Sequence, residues 1–222
     1  MGKLIVFEGT DGSGKSTQFE LLAKRLEAEQ IGFQRLRFPQ YEEPSSALIR
    51  MYLGGAFGDD PEAVNAYAAS TFYAVDRYAS YQRVWKDYYQ GGGFVVSDRY
   101  TTSNAVHQGS KVPEGERAEF FRWLYDLEYD RMGLPRPDLV VLLDMPVELS
   151  EQLMRKREQS TGTHADIHER DEDYLKKCRD VALHAAKYYG WRTVSCAKNG
   201  AIRVVEDIHE EVYAIVKSCL ED

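Results

Sequence analysis

The sequence is poor in cysteine and comparatively poor in basic residues. Its 222 residues include three cysteines, which are far apart and form no CxxC pair. This spacing argues against a disulfide framework and against a thiolate zinc site. Acidic residues outnumber basic ones by 36 to 28, which gives a net charge of −8. That charge argues against a nucleic acid or an anionic membrane as the main partner.

Long hydrophobic runs are also missing. The longest, Leu139 to Leu143, is far shorter than the roughly 20 residues needed to cross a membrane. The N-terminus enters a strand-like run without a cleavable signal. We therefore expect a protein of the reducing cytoplasm. The hydrophobic fraction, 43%, is sufficient for one sizeable core.

Short apolar runs alternate with helical patterns along the chain. Residues with helical spacing include Phe19, Leu22 and Leu26 in one segment. The alternation predicts a three-layer α/β/α fold around a central parallel five-stranded sheet, in one domain covering residues 1–222. The five predicted strands are Leu4 to Phe7, Phe33 to Phe38, Phe94 to Val96, Leu139 to Leu143 and Thr193 to Ala197.

A highly charged segment at about residues 155–173, RKREQSTGTHADIHERDED, interrupts this pattern. It has few apolar residues, and Gly162 lies between two threonines. Charge alone favours a solvated surface loop. The alternative interpretation is a lid with a basic edge.

The stretch EGTDGSGKST, Glu8 to Thr17, lies between a predicted strand and a predicted helix. It matches GxxxxGK[ST], a loop whose glycines let successive N–H groups face one anion. Lys15 is expected to reach the β- and γ-phosphates, and Ser16 to bind Mg²⁺. The predicted ATP-binding residues are Gly9, Thr10, Asp11, Gly12, Ser13, Gly14, Lys15, Ser16 and Thr17.

The phosphate loop predicts nucleotide binding but does not identify the reaction. A GTPase would need NKxD and DxxG motifs, and the stretches AKNG and DMPV do not supply them. The chain is also short for a motor ATPase. Its length fits a small-molecule kinase, in which catalysis is positioning and charge neutralisation.

A second polar cluster follows the strand Phe94 to Ser97, at Asp98-Arg99-Tyr100. Ligands of open parallel sheets bind outside the carboxyl ends of the strands, so we expect this cluster to face the same crevice as the phosphate loop. Asp98 could hold the water shell of Mg²⁺, and Arg99 could bind a phosphate. The alternative is a structural Asp98–Arg99 ion pair.

The order of these motifs resembles that of the thymidylate kinase family. The stretches that carry the resemblance are FEGTDGSGKST, RFPQY, FYAVDR, SDRYTTSNAVHQG and DLVVLLDMPVE, from residue 4 to about residue 175. The resemblance implies phosphorylation of dTMP to dTDP by ATP in nucleotide biosynthesis, with Mg²⁺ as cofactor. It also implies a phosphate-loop kinase fold with a lid, and a homodimer formed through the long helices after Pro61 and Gly115.

The resemblance assigns acceptor-binding roles to several positions. Asp11 would lie beside the sugar 3′-hydroxyl, Arg77 would bind the thymine carbonyl and Tyr73 would stack on the base. Phe72 is a competing candidate for the stacking role. Arg99 would bind the acceptor phosphate, and Asp98 would lie near Mg²⁺. The remaining expected contacts are Phe38 and Pro39 with the acceptor phosphate, Leu53 and Asn104 with the base, and His107 near the sugar.

Family members differ in where their catalytic arginine lies. Some carry it in the phosphate loop directly after the acid, where this chain has Gly12. Members with another residue there supply it from the lid. Arg155 and Arg157 are the leading candidates and Arg170 is a third. Asp166 and Glu169 match an acidic lid end, and His168 stands where tyrosine is frequent.

Three positions named here depart from the family pattern. Gln40 and Tyr41 follow Pro39 where a basic residue is common, so that Arg50 could supply the phosphate contact instead. His107 replaces a frequent aromatic residue near the sugar. Alternative functions are another nucleotide or deoxynucleoside kinase of the same fold, or a nucleotide-binding module without catalysis. A deoxynucleoside kinase would usually carry Glu-Arg-Ser instead of Asp98-Arg99-Tyr100.

Overall fold

The computed structural model describes residues 1–58, 60–161 and 172–221, and for residues 61, 156–161 and 172 it describes the backbone alone. Within these residues the strands are β1 Lys3–Glu8, β2 Gln34–Arg37, β3 Phe94–Asp98, β4 Leu139–Asp144, β5 Arg192–Ser195, β6 Ala197–Lys198 and β7 Ala201–Ile202. The α-helices are α1 Lys15–Ala28, α2 Ala47–Leu53, α3 Ala66–Ser80, α4 Lys86–Gln90, α5 Thr101–His107, α6 Arg117–Tyr125, α7 Val147–Thr161, α8 Glu172–Tyr189 and α9 Val205–Glu221.

The central sheet has five parallel strands in the order β2-β3-β1-β4-β5, flanked by helices. The predicted fold class is therefore confirmed. Leu4, Ile5, Val6 and Phe7 of β1 are all inaccessible to solvent. Strands covered on both faces read as continuous apolar runs, which is why β1 shows no alternation of polar and apolar residues.

Two compact units make up the chain. The first consists of Met1–Val6 and Phe33–Pro137, and the second of Phe7–Gly32 and Asp138–Asp222. The interpretation of residues 1–222 as one domain stays a prediction. Among the described residues, none of the helices combines the length and the apolar character that a membrane crossing requires.

In the first unit, β2 and β3 pair in register from Gln34 with Val95 to Arg37 with Asp98. Helix α3 begins at the side chain of Asn65, which accepts a hydrogen bond from the Ala68 N–H at 2.9 Å. Helices α3 and α6 each continue into a π-helical segment, Tyr81–Trp85 and Asp126–Arg131. Such π-helical turns are rare and occur frequently at functional sites.

In the second unit, β4 pairs with β5, and α1 contacts α9. The Gln18 side chain donates to the Val205 carbonyl at 2.9 Å, and Arg25 bonds Glu210 at 2.6 Å. The last predicted strand, Thr193 to Ala197, divides into β5 and β6, because β6 turns back as a hairpin with β7. Asn199 and Gly200 form this turn with positive φ angles, as two-residue hairpins favour.

The charged segment is helical as far as it is described. Helix α7 continues to Thr161, and α8 begins at Glu172. Lysine, arginine, glutamate and glutamine are good helix formers, which accounts for helix within a sequence of high charge. Residues 162–171 lie outside the described residues, so the choice between loop and lid stays open there.

Replacing Leu124 with alanine should destabilise the protein by about 2–5 kcal/mol, because the buried side chain leaves a cavity in the core of the first unit. Leu124 is inaccessible, whereas Leu48, on α2, is 42% exposed. Leu48→Ala is the matched control, and we expect it to cost less than about 0.5 kcal/mol. Urea unfolding of both variants measures the difference. Equal effects would contradict the described core.

Candidate active site

The phosphate loop adopts the backbone conformation that its glycines allow. Gly12 and Gly14 have φ angles of 74° and 84°, in the left-handed region. Gly14 is the N-cap of α1, so the chain passes directly from the loop into the helix. A Cβ atom on Gly12 would lie 2.6 Å from the Ser150 carbonyl oxygen and 3.0 Å from Met154 Cγ. Position 12 therefore has no room for a side chain.

A cavity of about 330 Å³ lies over this loop. Lys15 is buried, whereas Ser16 and Thr17 are exposed at the start of α1. The first N–H groups of a helix have no partner within the helix, and the helix dipole places partial positive charge there. Together these features form an anion site. The cavity is lined by Thr10, Asp11, Gly12, Ser13, Gly14, Lys15, Ser16, Thr17, Leu153 and Met154.

The end of β3 has an unusual backbone and dense polar contacts. Arg99 adopts a φ of 69°, a conformation that few residues other than glycine adopt. Its Nη1 lies 2.9 Å from His107 Nε2 and 3.5 Å from Ser103 Oγ. Because the guanidinium can only donate, His107 Nε2 must accept, which places the imidazole proton on Nδ1. His107 thus orients Arg99.

Asp98 forms an ion pair with Arg37, which lies on the neighbouring strand β2. Arg37 Nε donates to Asp98 Oδ2 at 3.1 Å, since the parallel register puts the two residues side by side. The strand pairing explains this Arg37–Asp98 contact, and the alternative of an Asp98–Arg99 pair stays a prediction. Asp98 itself is buried, and Arg37 is largely exposed.

Arg77 lies in the interior of the first unit, 2% exposed. Its Nε and Nη2 atoms donate to the two carboxylate oxygens of Glu128 at 2.6 and 2.5 Å, and Nη1 donates to the Tyr100 carbonyl at 3.3 Å. Burial acts to lower the pKa of Arg77. The attraction and hydrogen bonds of Glu128 outweigh burial and raise that pKa. The guanidinium is therefore held in its charged form.

Tyr73 and Phe72 differ in their surroundings. Phe72 packs against the rings of Tyr52 and Phe57, with centroid distances of 6.4 and 5.7 Å. The pKa of Tyr73 is raised, mainly by burial, and the charges of Arg99 and Arg77 act in the opposite direction. Tyr73 therefore lies within electrostatic reach of both arginines, while Phe72 belongs to an aromatic cluster.

Phe38, Pro39 and Leu53, three further residues predicted to bind the acceptor, lie in the first unit, whereas Asp11 lies in the second. Phe38 is buried beside Tyr100 and joins Pro39 through a cis peptide bond. Leu53 is 37% exposed at the end of α2. Arg50, the substitute candidate for the phosphate, donates to the backbone carbonyls of Tyr41 and Glu43. In the structure it supports the loop that follows Pro39.

Sequence reasoning missed Glu128, which is inaccessible to solvent and bonds Arg77, Thr101 and Asn104. A signal for it exists. Glu128 follows Leu124 by four positions, and Leu124 belongs to the apolar face of α6. Residues four apart share a helix face, so an acid at this spacing points towards the core and requires a buried partner.

The lid candidates are described only in part. The Arg155 side chain is exposed and lies 3.6 Å from Glu151, one turn earlier on α7. The side chain of Arg157, and the whole of Arg170, Asp166, Glu169 and His168, lie outside the described residues. Within the described part, no group of three or more His, Cys, Asp or Glu side chains is arranged to hold a metal.

Comparisons with known proteins agree with the phosphate loop and the parallel sheet described above. The family model for thymidylate kinase matches residues 7–210. A thymidylate kinase from Mycobacterium tuberculosis is 33% identical over 190 residues, covering 85% of this chain and 87% of that protein. A probable thymidylate kinase from Thermococcus gammatolerans is 32% identical, covering 98% and 97%.

The fold has a counterpart among solved structures. The structure of thymidylate kinase from Candida albicans superposes with a TM-score of 0.71 and 22% identity, covering 98% of this chain and 92% of that one. At this identity the likeness supports the fold alone. The family match and the sequence relatives show that the chain belongs to the thymidylate kinase family.

Proposed function

We propose that this phosphotransferase moves the γ-phosphoryl group of ATP onto dTMP, giving ADP and dTDP. The observation that carries the proposal is the phosphate loop at the start of α1, with buried Lys15 beneath an open cavity, in a chain of the thymidylate kinase family. Loops of this type cradle triphosphates through backbone N–H groups. The reaction needs no covalent intermediate.

The donor site in this proposal consists of Gly9 to Thr17. Lys15 places a positive charge at the β- and γ-phosphates, where negative charge shifts during transfer. The exposed Ser16 hydroxyl fits Mg²⁺, because magnesium prefers oxygen ligands and keeps several waters. Bound Mg²⁺ would neutralise phosphate charge. Asp98 remains a proposed partner of its water shell.

The acceptor site in this proposal is formed around Tyr73, Arg77 and Arg99. Arg99, oriented by His107 at 2.9 Å, is suited to bind the dTMP phosphate. Arg77 would donate to the thymine carbonyl and Tyr73 would stack on the base. The contacts of Asp11, Phe38, Pro39, Leu53, Asn104 and His107 with dTMP stay predictions.

A lid arginine remains the proposed source of the catalytic cation. The steric surroundings of Gly12 support this, because any side chain at position 12 would collide with the Ser150 carbonyl oxygen. The phosphate loop of this chain therefore cannot carry the arginine that other members place there. Arg155 and Arg157 are the proposed replacements, acting by charge neutralisation at the γ-phosphate.

A homodimer in the cytoplasm is proposed on the family resemblance. Three solvent-exposed side chains of apolar character on α3 support the dimer. Their exposed fractions are 40% for Tyr67, 48% for Val75 and 40% for Tyr78. The spacing of eight and three residues places them on one helix face. Such a face is suited to bury apolar surface against a second copy of the chain.

A panel of nucleoside monophosphates tests the proposed reaction. With ATP and Mg²⁺ present, we expect dTMP to be phosphorylated at least about 100-fold faster than AMP or dGMP, because a site that hydrogen-bonds one base leaves polar groups unpaired with another. A coupled assay of ADP release measures the rates. Comparable rates for the purine nucleotides would contradict the assignment. The Lys15→Ala variant is the control, and full activity in it would remove the loop from the mechanism.

Replacing Gly12 with alanine should destabilise the protein more than replacing Gly14. Both positions have positive φ, so both variants bear a backbone cost of about 1–2 kcal/mol. Gly12→Ala adds the collision with Ser150, a further cost of about 1–3 kcal/mol, whereas a Cβ on Gly14 meets no described atom within 4 Å. Denaturant unfolding without nucleotide measures both. Equal stability of the variants would refute the close approach at Gly12.

Replacing Val75 with aspartate should convert the proposed dimer into monomers, because a charge would be buried in the interface without a partner. Light scattering after size exclusion measures the mass. Val205→Asp is the control, since Val205 is 40% exposed at the start of α9, in the second unit. A dimer that survives Val75→Asp would show that this face of α3 is not the interface.

A further inference from the structure

The carboxylate of Glu128 lies at the centre of a buried hydrogen-bond network in the first unit. Arg77 Nε and Thr101 Oγ1 donate to Oε2 at 2.6 and 2.8 Å. Arg77 Nη2 and Asn104 Nδ2 donate to Oε1 at 2.5 and 3.5 Å. An ionised carboxylate has about four lone-pair positions, so these four donors saturate it. Glu128 therefore acts only as an acceptor.

This network determines how Arg77 is presented. A guanidinium has five N–H donors in a rigid plane. Glu128 takes two of them along one edge, and the Tyr100 carbonyl takes a third at 3.3 Å. The other two N–H groups have no acceptor among the residues that the structure describes. Arg77 thus offers hydrogen-bond donors, in a direction set by its bidentate contact with Glu128.

The same network determines which end of the Asn104 amide is available. Asn104 Nδ2 donates to the Ser70 carbonyl at 3.1 Å and makes the longer contact with Glu128. Both partners can only accept. Turning the amide around would place its oxygen against two oxygens, so the nitrogen must face them. The Oδ1 atom is left as the end that can bind a ligand, and it is an acceptor.

Arg77 and Asn104 therefore present a donor and an acceptor, respectively. Thymine carries a carbonyl acceptor at C4 beside an N3–H donor, which complements this pair. Cytosine carries the opposite arrangement, an N4 amino donor beside an N3 acceptor. Cytosine would set donor against donor at Arg77 and acceptor against acceptor at Asn104. Mismatches of this kind in a buried site are strongly unfavourable.

We infer that Glu128 is a positioning residue that makes the site select thymine over cytosine, by fixing the guanidinium of Arg77 and the amide orientation of Asn104. The inference rests on the proposed function, because it takes Arg77 and Asn104 as the residues that face the base. Glu128 touches no substrate in this account. It acts through the two side chains that it holds, from a π-helical segment that places it on the buried face.

The Glu128→Gln variant tests the inference. Glutamine has the same shape but replaces one acceptor oxygen with an NH₂ donor, so Arg77 and Asn104 cannot both keep their present orientation. We expect kcat/KM for dTMP to fall about 10- to 100-fold, mainly through KM, because a charged hydrogen bond is lost. The value for dCMP should be unchanged or higher, so the dTMP-to-dCMP ratio falls. The KM for ATP should stay the same.

Asp144→Asn is the matched control. Asp144 receives a bidentate contact from Arg179, at 2.7 and 3.1 Å, in the second unit. The same acid-to-amide change there should lower stability without changing the dTMP-to-dCMP ratio. A purely structural role of Glu128 would predict the same behaviour for both variants. A changed ratio in Glu128→Gln alone supports the positioning role.

The Glu128→Asp variant decides the matter if Glu128→Gln does not fold. Aspartate keeps the buried charge but withdraws the carboxylate by one methylene, so the contacts with Arg77 and Asn104 lengthen. We expect an intermediate fall in the dTMP-to-dCMP ratio, of about 5- to 10-fold. A ratio within twofold of the wild-type value in the variant that folds would overturn the inference.

Calorimetric binding of dTMP and dCMP to the wild-type protein separates the two ideas. A protein that binds dTMP selectively but does not phosphorylate it, and that loses this selectivity in the Glu128→Gln variant, would contradict the proposed function and support the inference about Glu128. A protein that phosphorylates both nucleotides equally, or binds both equally, would contradict the inference and leave phosphoryl transfer intact. The proposed function and the inference about Glu128 can therefore fail separately.

Discussion

The buried ion pair of Arg77 and Glu128 connects three elements of the first unit. Arg77 comes from α3, Glu128 from the π-helical segment after α6, and the Tyr100 carbonyl from the N-cap of α5. A charge in the interior is costly unless it is paired with an opposite charge and hydrogen-bonded to it. The pair therefore constrains α3, the start of α5 and the π-helical segment together. Removing one partner would leave an uncompensated charge that none of these elements could accommodate.

The second unit is organised around a different constraint, the close approach of backbone to backbone. Gly12 comes so near to Ser150 that a methyl group does not fit, and Gly14 turns the chain into α1 with a left-handed conformation. These two glycines allow the loop amides and the helix start to face one cavity. The same closeness excludes an arginine at position 12. This steric contact supports the proposal that the catalytic cation comes from outside the phosphate loop.

In both proposed sites the polar groups are oriented by the protein itself. At the phosphate loop the oriented groups are backbone N–H donors at the start of α1. Around Arg77 they are side chains. The hydrogen bonds that some of their polar atoms make with the protein determine which polar atoms remain available to a ligand. Asn104 illustrates the point, because its orientation follows from two acceptors, the Ser70 carbonyl and Glu128. Preorganisation of this kind is what makes a polar site selective.

Local patterns were sufficient for the sheet strands, the phosphate loop and the family. The run Leu4 to Phe7 reads as a strand because it is buried on both faces, and GxxxxGK[ST] specifies its own backbone geometry. They were insufficient for contacts between distant segments. The Arg37–Asp98 pair, for example, follows from strand register. The β6–β7 hairpin is local instead, and it follows from the positive φ angles at Asn199 and Gly200. The hairpin was open to prediction, since Asn-Gly between short strands is a strong turn signal.

Glu128 shows both what the sequence can predict and what only the tertiary structure decides. Its spacing from Leu124 shows from the chain alone that an acid faces inward. Which arginine neutralises it, and which amide it orients, depends on residues 51 and 24 positions away. Hydrophobic periodicity and sequence motifs indicate the local structure that each segment prefers over a few helical turns. Pairing across tens of residues depends on how the segments pack, and that packing determines which polar atoms of Arg77 and Asn104 remain available for the proposed contact with the base.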